Sequence, residues 1–247
     1  MPTLHLLGTG AAVTDPHRHT TMLALTDDAS TLVIDCGGDV VQRILQAGID
    51  IETITGLFIT HEHADHVSGF PLFMEKIWLS GRRRSIPVYG IGPALEQAWR
   101  CLAAFNLAHH DLPTVEWKEV GHAQGAFVLS DDTWRVTVAP GSHSVPVVGV
   151  RVESCATNGV VVFSGDTEPC DSIVHLARHA DILVHEANGS GNGHTSALEA
   201  AHVAVTANVK QLLLTHLPPD LDEAELKSAR IQFPDTELAV ELGVHNF

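Results

Sequence analysis

The segment Thr60-His61-Glu62-His63-Ala64-Asp65-His66 packs three imidazoles and two carboxylates into a few positions, directly after an apolar, strand-like run from Ile54 to Thr60. Imidazoles held this close repel one another when protonated and leave unpaired polar groups when buried. A bound cation removes both problems. The nitrogen and oxygen donors suit zinc, with manganese and ferrous iron as rivals. In a helix His61 and His63 would point to different sides, so the spacing predicts a loop at the end of a rigid strand, aiming several side chains at one point.

The chain holds 17 histidines, so position must decide which of them matter. Three further candidates share a placement. His143 follows a strand-like run ending near Val138, Asp166 follows Val160 to Phe163, and His216 follows Gln211 to Leu214. In layered α/β proteins loops converge on a site at the strand ends, so the shared placement predicts one pocket with room for more than one ion. His5, His109, His110, His175, His179, His202 and His245 show no such pattern and are expected on the surface or in the core.

The elements that must carry these residues follow from periodicity. Leu4 to Leu7, Thr21 to Leu25 and Thr31 to Ile34 read as short strands, the last two around a polar turn at Asp27-Asp28. Val40 to Ala47 has helical apolar spacing with Gly48 as a stop. Phe70 to Leu79 and Ala94 to Leu107 read as helices around a strand at Ile86 to Tyr89. Strand-like runs then recur at Phe127 to Leu129, Trp134 to Val138, Val147 to Val152, Val160 to Phe163, Ile182 to Val184 and Gln211 to Leu214. Helices are expected at Ser172 to His179, Thr195 to Val205 and Glu223 to Ala229. Strands and helices in each half predict two layered halves around one core, folded as one domain over residues 1–247.

Composition narrows the function. At 45% apolar and 18% charged residues the chain can bury a sizeable core. It shows neither a signal peptide nor a membrane span, which reads as cytoplasmic. Cys36, Cys101, Cys155 and Cys170 lack C-x-x-C spacing and read as buried thiols. The net charge of −16, offset by about four charges if two divalent ions bind, repels an extended polyanion unless a local basic patch intervenes. Arg82-Arg83-Arg84 is the compact basic run; it reads as a solvated turn, with phosphate contact as the alternative.

Taken in order, Leu7-Gly8-Thr9-Gly10, Ile34-Asp35-Cys36-Gly37, Thr60 to His66, Ser164-Gly165-Asp166-Thr167, His185-Glu186-Ala187, Gly193-His194-Thr195 with Glu199-Ala200-Ala201, and Leu214-Thr215-His216 resemble the metallo-β-lactamase-fold superfamily. Within it they resemble the ribonuclease Z-like branch of phosphodiester hydrolases. The resemblance implies an α/β fold, a four-layer αββα sandwich, and two divalent metal ions. His61, His63 and His143 would hold one ion, Asp65, His66 and His216 the other, and Asp166 would bridge them. A water between the ions would ionise near neutral pH and act as nucleophile. Asp65, His194 and Glu186 are carried over as catalytic: His194 would stabilise charge or protonate the leaving oxygen, with Glu186 behind it. For His194 the alternative is a helix-start histidine bound to backbone; for Glu186, His185 and Asp35 it is a structural role. His17 and His19 fall in the branch's substrate-facing segment. A homodimer is also implied.

The chain departs from ribonuclease Z itself. The long arm that grips the tRNA body before the His143-type ligand has no counterpart, Leu217-Pro218-Pro219-Asp220 replaces a serine, arginine and tyrosine pattern, and Asn188 replaces a threonine. With the acidic charge, these departures favour a small phosphodiester, such as a cyclic nucleotide, over nucleic acid. The alternatives are tRNA 3′-processing, hydrolysis of a sulfate ester, lactone or β-lactam, and a non-catalytic metal-stabilised binding module.

Overall fold

The computed structural model describes residues 1–27, 30–107 and 110–247. Asp28 of the expected turn and His109 lie outside the described residues. The first half contains β1 (Thr3–Gly8), β2 (Met22–Asp27), β3 (Ser30–Ile34), α1 (Val40–Gln46), β4 (Ile54–Ile59), α2 (Ala64–Val67), α3 (Phe70–Leu79), β5 (Ile86–Gly90), α4 (Gly92–Ala103) and β6 (Val115–Glu119). The second contains β7 (Ala126–Ser130), β8 (Trp134–Pro140), β9 (Val148–Ser154), β10 (Val160–Phe163), α5 (Asp171–Ala177), β11 (Ile182–Glu186), α6 (Ala197–Ala207), β12 (Gln211–Thr215), α7 (Glu223–Gln232), β13 (Thr236–Leu238) and β14 (Gly243–Asn246).

These strands form two seven-stranded sheets, ordered β14-β1-β2-β3-β4-β5-β6 and β13-β12-β11-β10-β9-β8-β7. In each, an antiparallel part passes into a parallel one, at β3 in the first sheet and β10 in the second. Side-chain alternation explains the layering. Val161, Phe163, Ile182, Val184 and Leu213 face the first sheet, in one core with α1, α3 and α4; Val160, Val162, Leu183, Leu212 and Leu214 face away and pack under α5 and α6. The result is the expected αββα sandwich. Among the described residues no helix is long and apolar enough to cross a membrane.

Several boundaries moved for identifiable reasons. α4 starts at Gly92, ahead of the expected Ala94, with Pro93 in its first turn, and it ends at Ala103 although apolar residues continue to Leu107. α6 starts at Ala197, two residues past the expected Thr195, because Ser196 and Glu199 form a reciprocal capping box. Strands β6, β13 and β14 escaped the periodicity reading: they are short, all three stand at sheet edges, and they lack continuous apolar runs. Cys36 is buried as expected, whereas Cys101, Cys155 and Cys170 are only partly so.

The basic run is only in part the solvated turn expected of it: Arg83 and Arg84 are exposed, but Arg82 is not. Arg82 is buried and donates to the carbonyls of Ile54 (2.8 Å) and Ser85 (3.2 Å), and Arg84 reaches the Glu52 carbonyl. The Glu52 and Ile54 carbonyls lie at the start of β4 and that of Ser85 just before β5; the histidine cluster stands at the other end of β4, about 20 Å away at 3.3 Å per residue. Arg82→Met strands carbonyls in the core and is expected to cost about 2 kcal/mol in urea unfolding without changing metal uptake.

Candidate metal centre

Every chemical candidate sits at the strand ends along one rim of the sandwich. His61 and His63 follow β4 in an extended segment, as expected, but Asp65 and His66 lie on α2, a single helical turn for which His63 is the flanking residue. One loop therefore did not suffice. The turn aims Asp65 and His66 at a point different from that of His61 and His63. His143 follows β8, Asp166 follows β10, and His216 follows β12.

The side chains converge into two sets of four that share Asp166. One is His61, His63, His143 and Asp166; the other is Asp65, His66, Asp166 and His216, with donor atoms in each set within 4.8 Å of one another. His63 Nδ1 is 3.2 Å from His143 Nε2. His216 Nε2 is 3.3 Å from an oxygen of Asp65 and 3.3 Å from one of Asp166. His66 Nε2 is 3.4 Å from the same two carboxylates, and His61 Nε2 is 3.8 Å from Asp166. Two ligands about 2.0–2.1 Å from a shared tetrahedral ion stand about 3.4 Å apart, so these spacings fit a divalent cation in each set. Three buried atoms at the centre, His61 Nε2, His66 Nε2 and Asp166 Oδ1, have no hydrogen-bond partner among the described residues. Left so, each costs roughly 1–3 kcal/mol, which coordination offsets.

Charge in the cluster is organised to suit a cation. Burial, and His66 next to it, push the His61 imidazole well below its ordinary range. Burial acts the same way on His66, but Asp166 and Asp35 overcome it and raise this ring well above. Burial would raise Asp65 and Asp166; the histidines around them win, and both carboxyls stay ionised far below the usual carboxylate range.

Most rings are held from behind. Asp35 sits at φ 61°, a left-handed conformation that side chains other than glycine rarely adopt. From there one oxygen accepts from the Thr60 amide (2.8 Å) and the other from His66 Nδ1 (2.8 Å), so Asp35 both satisfies a turn amide and orients a candidate ligand ring. Thr60 Oγ1 donates to Asp35 and faces His61 Nδ1 at 3.1 Å. A Cβ at Gly37 would meet the Asp65 carbonyl at 1.6 Å, so glycine is what allows this turn to close on α2. Asp35→Ala is expected to weaken zinc binding about 10–100-fold in a competitive titration, because it frees the His66 ring.

His143 donates from Nδ1 to the carbonyl of Gly193 (2.7 Å), a contact the sequence reading missed. A signal for it exists in the Gly193-His194 pair: Gly193 takes φ +87° and leaves no space for a Cβ beside His143. His194 Nδ1 donates to Glu186 Oε1 at 2.9 Å, and its ring lies edge-on to His143 and stacked on His216. The hydrogen bond that His194 donates to Glu186 outweighs burial and raises the His194 pKa. Ser196 caps α6, so His194 is not engaged as a helix-start residue. Glu186 is fully buried and also accepts from the amides of Thr167 and Asn188. His185 points elsewhere, its Nδ1 bonded to the Glu186 carbonyl. His19 turns its Nδ1 to Glu241.

A rim of convergent histidines and aspartates between two such sheets defines the class: a metal-dependent hydrolase of the metallo-β-lactamase fold. A family profile described as the Beta-lactamase superfamily domain matches residues 30–217, and the chain belongs to that superfamily, in its ribonuclease Z-like branch. It is 32% identical to the ribonuclease Z of Methanothermobacter thermautotrophicus, covering 96% of this chain and 94% of the relative. Solved structures agree in fold. The metallo-β-lactamase fold protein YhfI from Bacillus subtilis superposes with TM-score 0.84 at 22% identity, covering 100% of both chains. The short form of human tRNase Z superposes with TM-score 0.80 at 24% identity, covering 99% of this chain and 98% of that one.

Proposed function

We propose that this chain hydrolyses phosphodiesters with two divalent ions, His61, His63, His143 and Asp166 holding one and Asp65, His66, His216 and Asp166 the other. The observation that carries the reading is the shared carboxylate of Asp166 between two sets of ligand-spaced atoms, with the His194–Glu186 pair beside them. When bound, such ions polarise a phosphoryl oxygen and make water acidic enough to attack phosphorus near neutral pH. The chain's own residues do the rest. Asp35 and Thr60 keep the rings of His66 and His61 oriented, and Asp166 keeps the two sets at a fixed spacing. Glu186 holds the Nδ1 proton of His194 and keeps the ring charged to a higher pH, which leaves Nε2 to donate a proton to the departing oxygen. Zinc suits these donors, and manganese or iron is tested by metal analysis.

A small diester, such as a cyclic nucleotide, is the substrate we favour. The alignment with the Methanothermobacter relative runs over 292 residues against 247 in this chain, so at least 45 aligned positions have no counterpart here. The acidic net charge and the engagement of Arg82 and Arg84 away from the rim point the same way. The second reading, 3′-end processing of tRNA, draws on the ribonuclease Z relative itself.

The deciding experiment measures metal per chain alongside rates on bis(p-nitrophenyl) phosphate, a 2′,3′-cyclic nucleotide, a precursor tRNA with a 3′ trailer, a phosphomonoester, a sulfate ester and a β-lactam. Two equivalents with preference for the small diesters support the proposal. Efficient, site-specific cleavage of the precursor tRNA moves the function to the second reading. Activity confined to another ester class overturns both.

A further inference from the structure

We infer that Glu241, near the C-terminus, is a positioning residue for the ion site formed by Asp65, His66 and His216, an inference that rests on the two-ion reading above. The argument begins with what holds each ligand ring. The second ring nitrogens of His61, His66 and His143 face Thr60, Asp35 and the Gly193 carbonyl. His216 differs: its Nδ1 is buried and has no hydrogen-bond partner among the described residues. No side-chain hydrogen bond orients this ring from behind, so its direction is set through its main chain.

That main chain is itself unusual. His216 takes φ +52°, a conformation that relaxes unless its surroundings enforce it. The enforcement comes from the next residue: the Leu217 amide donates to the Thr9 carbonyl (2.9 Å), and the Ala11 amide donates to the Leu217 carbonyl (3.1 Å). The segment Thr9–Ala11 thus clamps the peptide that follows His216. It is in turn held by Glu241. One oxygen of Glu241 accepts from the Thr9 amide (2.9 Å), the Thr9 hydroxyl (3.0 Å) and the His19 amide (3.2 Å). The other faces His19 Nδ1 (2.9 Å) and accepts from Arg43 (2.5 Å). Arg43 is buried and anchored to the Leu7 carbonyl (2.6 Å), so the clamp is tied to the end of β1 and to α1. A carboxylate taking this many charge-assisted and amide hydrogen bonds is a rigid junction.

Loss of Glu241 therefore frees the backbone next to His216 while the rings of His61 and His143 keep their own supports. The test is zinc titration of the full chain by calorimetry, with metal analysis after dialysis, on wild type, Glu241→Ala, Glu241→Gln and Arg82→Met. Arg82→Met serves as a control destabilised at the far end of β4. Glu241→Ala is expected to bind one equivalent with wild-type affinity and the other at least about tenfold more weakly. Glu241→Gln, which keeps an acceptor for Thr9, restores most of that affinity, and Arg82→Met retains both sites whatever its loss in Tm. Should Glu241→Ala not fold, Thr9→Val, which removes one donor to the junction, is expected to weaken the same single equivalent about threefold.

Equal weakening of both equivalents, or none, in a wild-type background that binds two overturns this inference alone. Fewer than two equivalents in wild type overturns it together with the two-ion reading.

Discussion

Asp166→Ala is expected to lose at least one equivalent of metal and to lower phosphodiester turnover by about 10³-fold or more. Asp166 is the one side chain common to both ligand sets, and three ring nitrogens, those of His61, His66 and His216, lie within 3.8 Å of a single one of its oxygens. On the proposed two-ion reading, removing it takes a ligand from each ion, and it leaves the ring nitrogens of those buried histidines without a carboxylate oxygen that they share. Metal-ion catalysis supplies several kcal/mol of transition-state stabilisation, and each 1.4 kcal/mol is a factor of ten in rate. The measurement is metal content by plasma mass spectrometry, paired with kcat on bis(p-nitrophenyl) phosphate. Two retained equivalents with undiminished turnover would remove Asp166 from the bridging position.

His194→Ala is expected to behave differently: both ions stay bound, and kcat falls by about 10²–10⁴-fold on a diester with an alkyl leaving group. The ring contacts His143 and His216, and Nδ1 is hydrogen-bonded to Glu186. A role as proton donor makes a specific demand. The loss must shrink on p-nitrophenyl esters, whose leaving group departs without protonation, and Glu186→Gln must follow the same leaving-group pattern with a smaller loss. A decrease of equal size on both esters would assign His194 to packing or substrate binding and not to proton transfer.

These two residues mark how far the sequence carries. Asp166 was legible because it follows a continuous apolar run, Val160 to Phe163, and the same holds for His61 after β4 and His216 after β12. A rigid strand ending in a polar ligand type is a local pattern. It survives folding because backbone pairing holds the strand end in place. The two layered halves were legible for the same reason; their αββα arrangement came with the resemblance carried by the ordered motifs from Leu7-Gly8-Thr9-Gly10 to His216.

What the sequence by itself determined is therefore the set of chemical groups, the strands that present them and the family. Only the tertiary structure decided which groups stand behind them. Arg82 read as surface charge, yet it is buried against the carbonyls at the start of β4. Asp65 and His66 read as loop residues, yet they turn on one helical turn that closes against Gly37. Glu241 stands 232 residues from Thr9 and had no motif of its own. Its partners are a backbone amide, a hydroxyl, an imidazole and a guanidinium, drawn together by how β1, α1 and the C-terminal segment pack. Ligand identity is a property of residue type and local spacing, whereas the support of a ligand depends on contacts between distant segments that exist only once both sheets have closed on their common core.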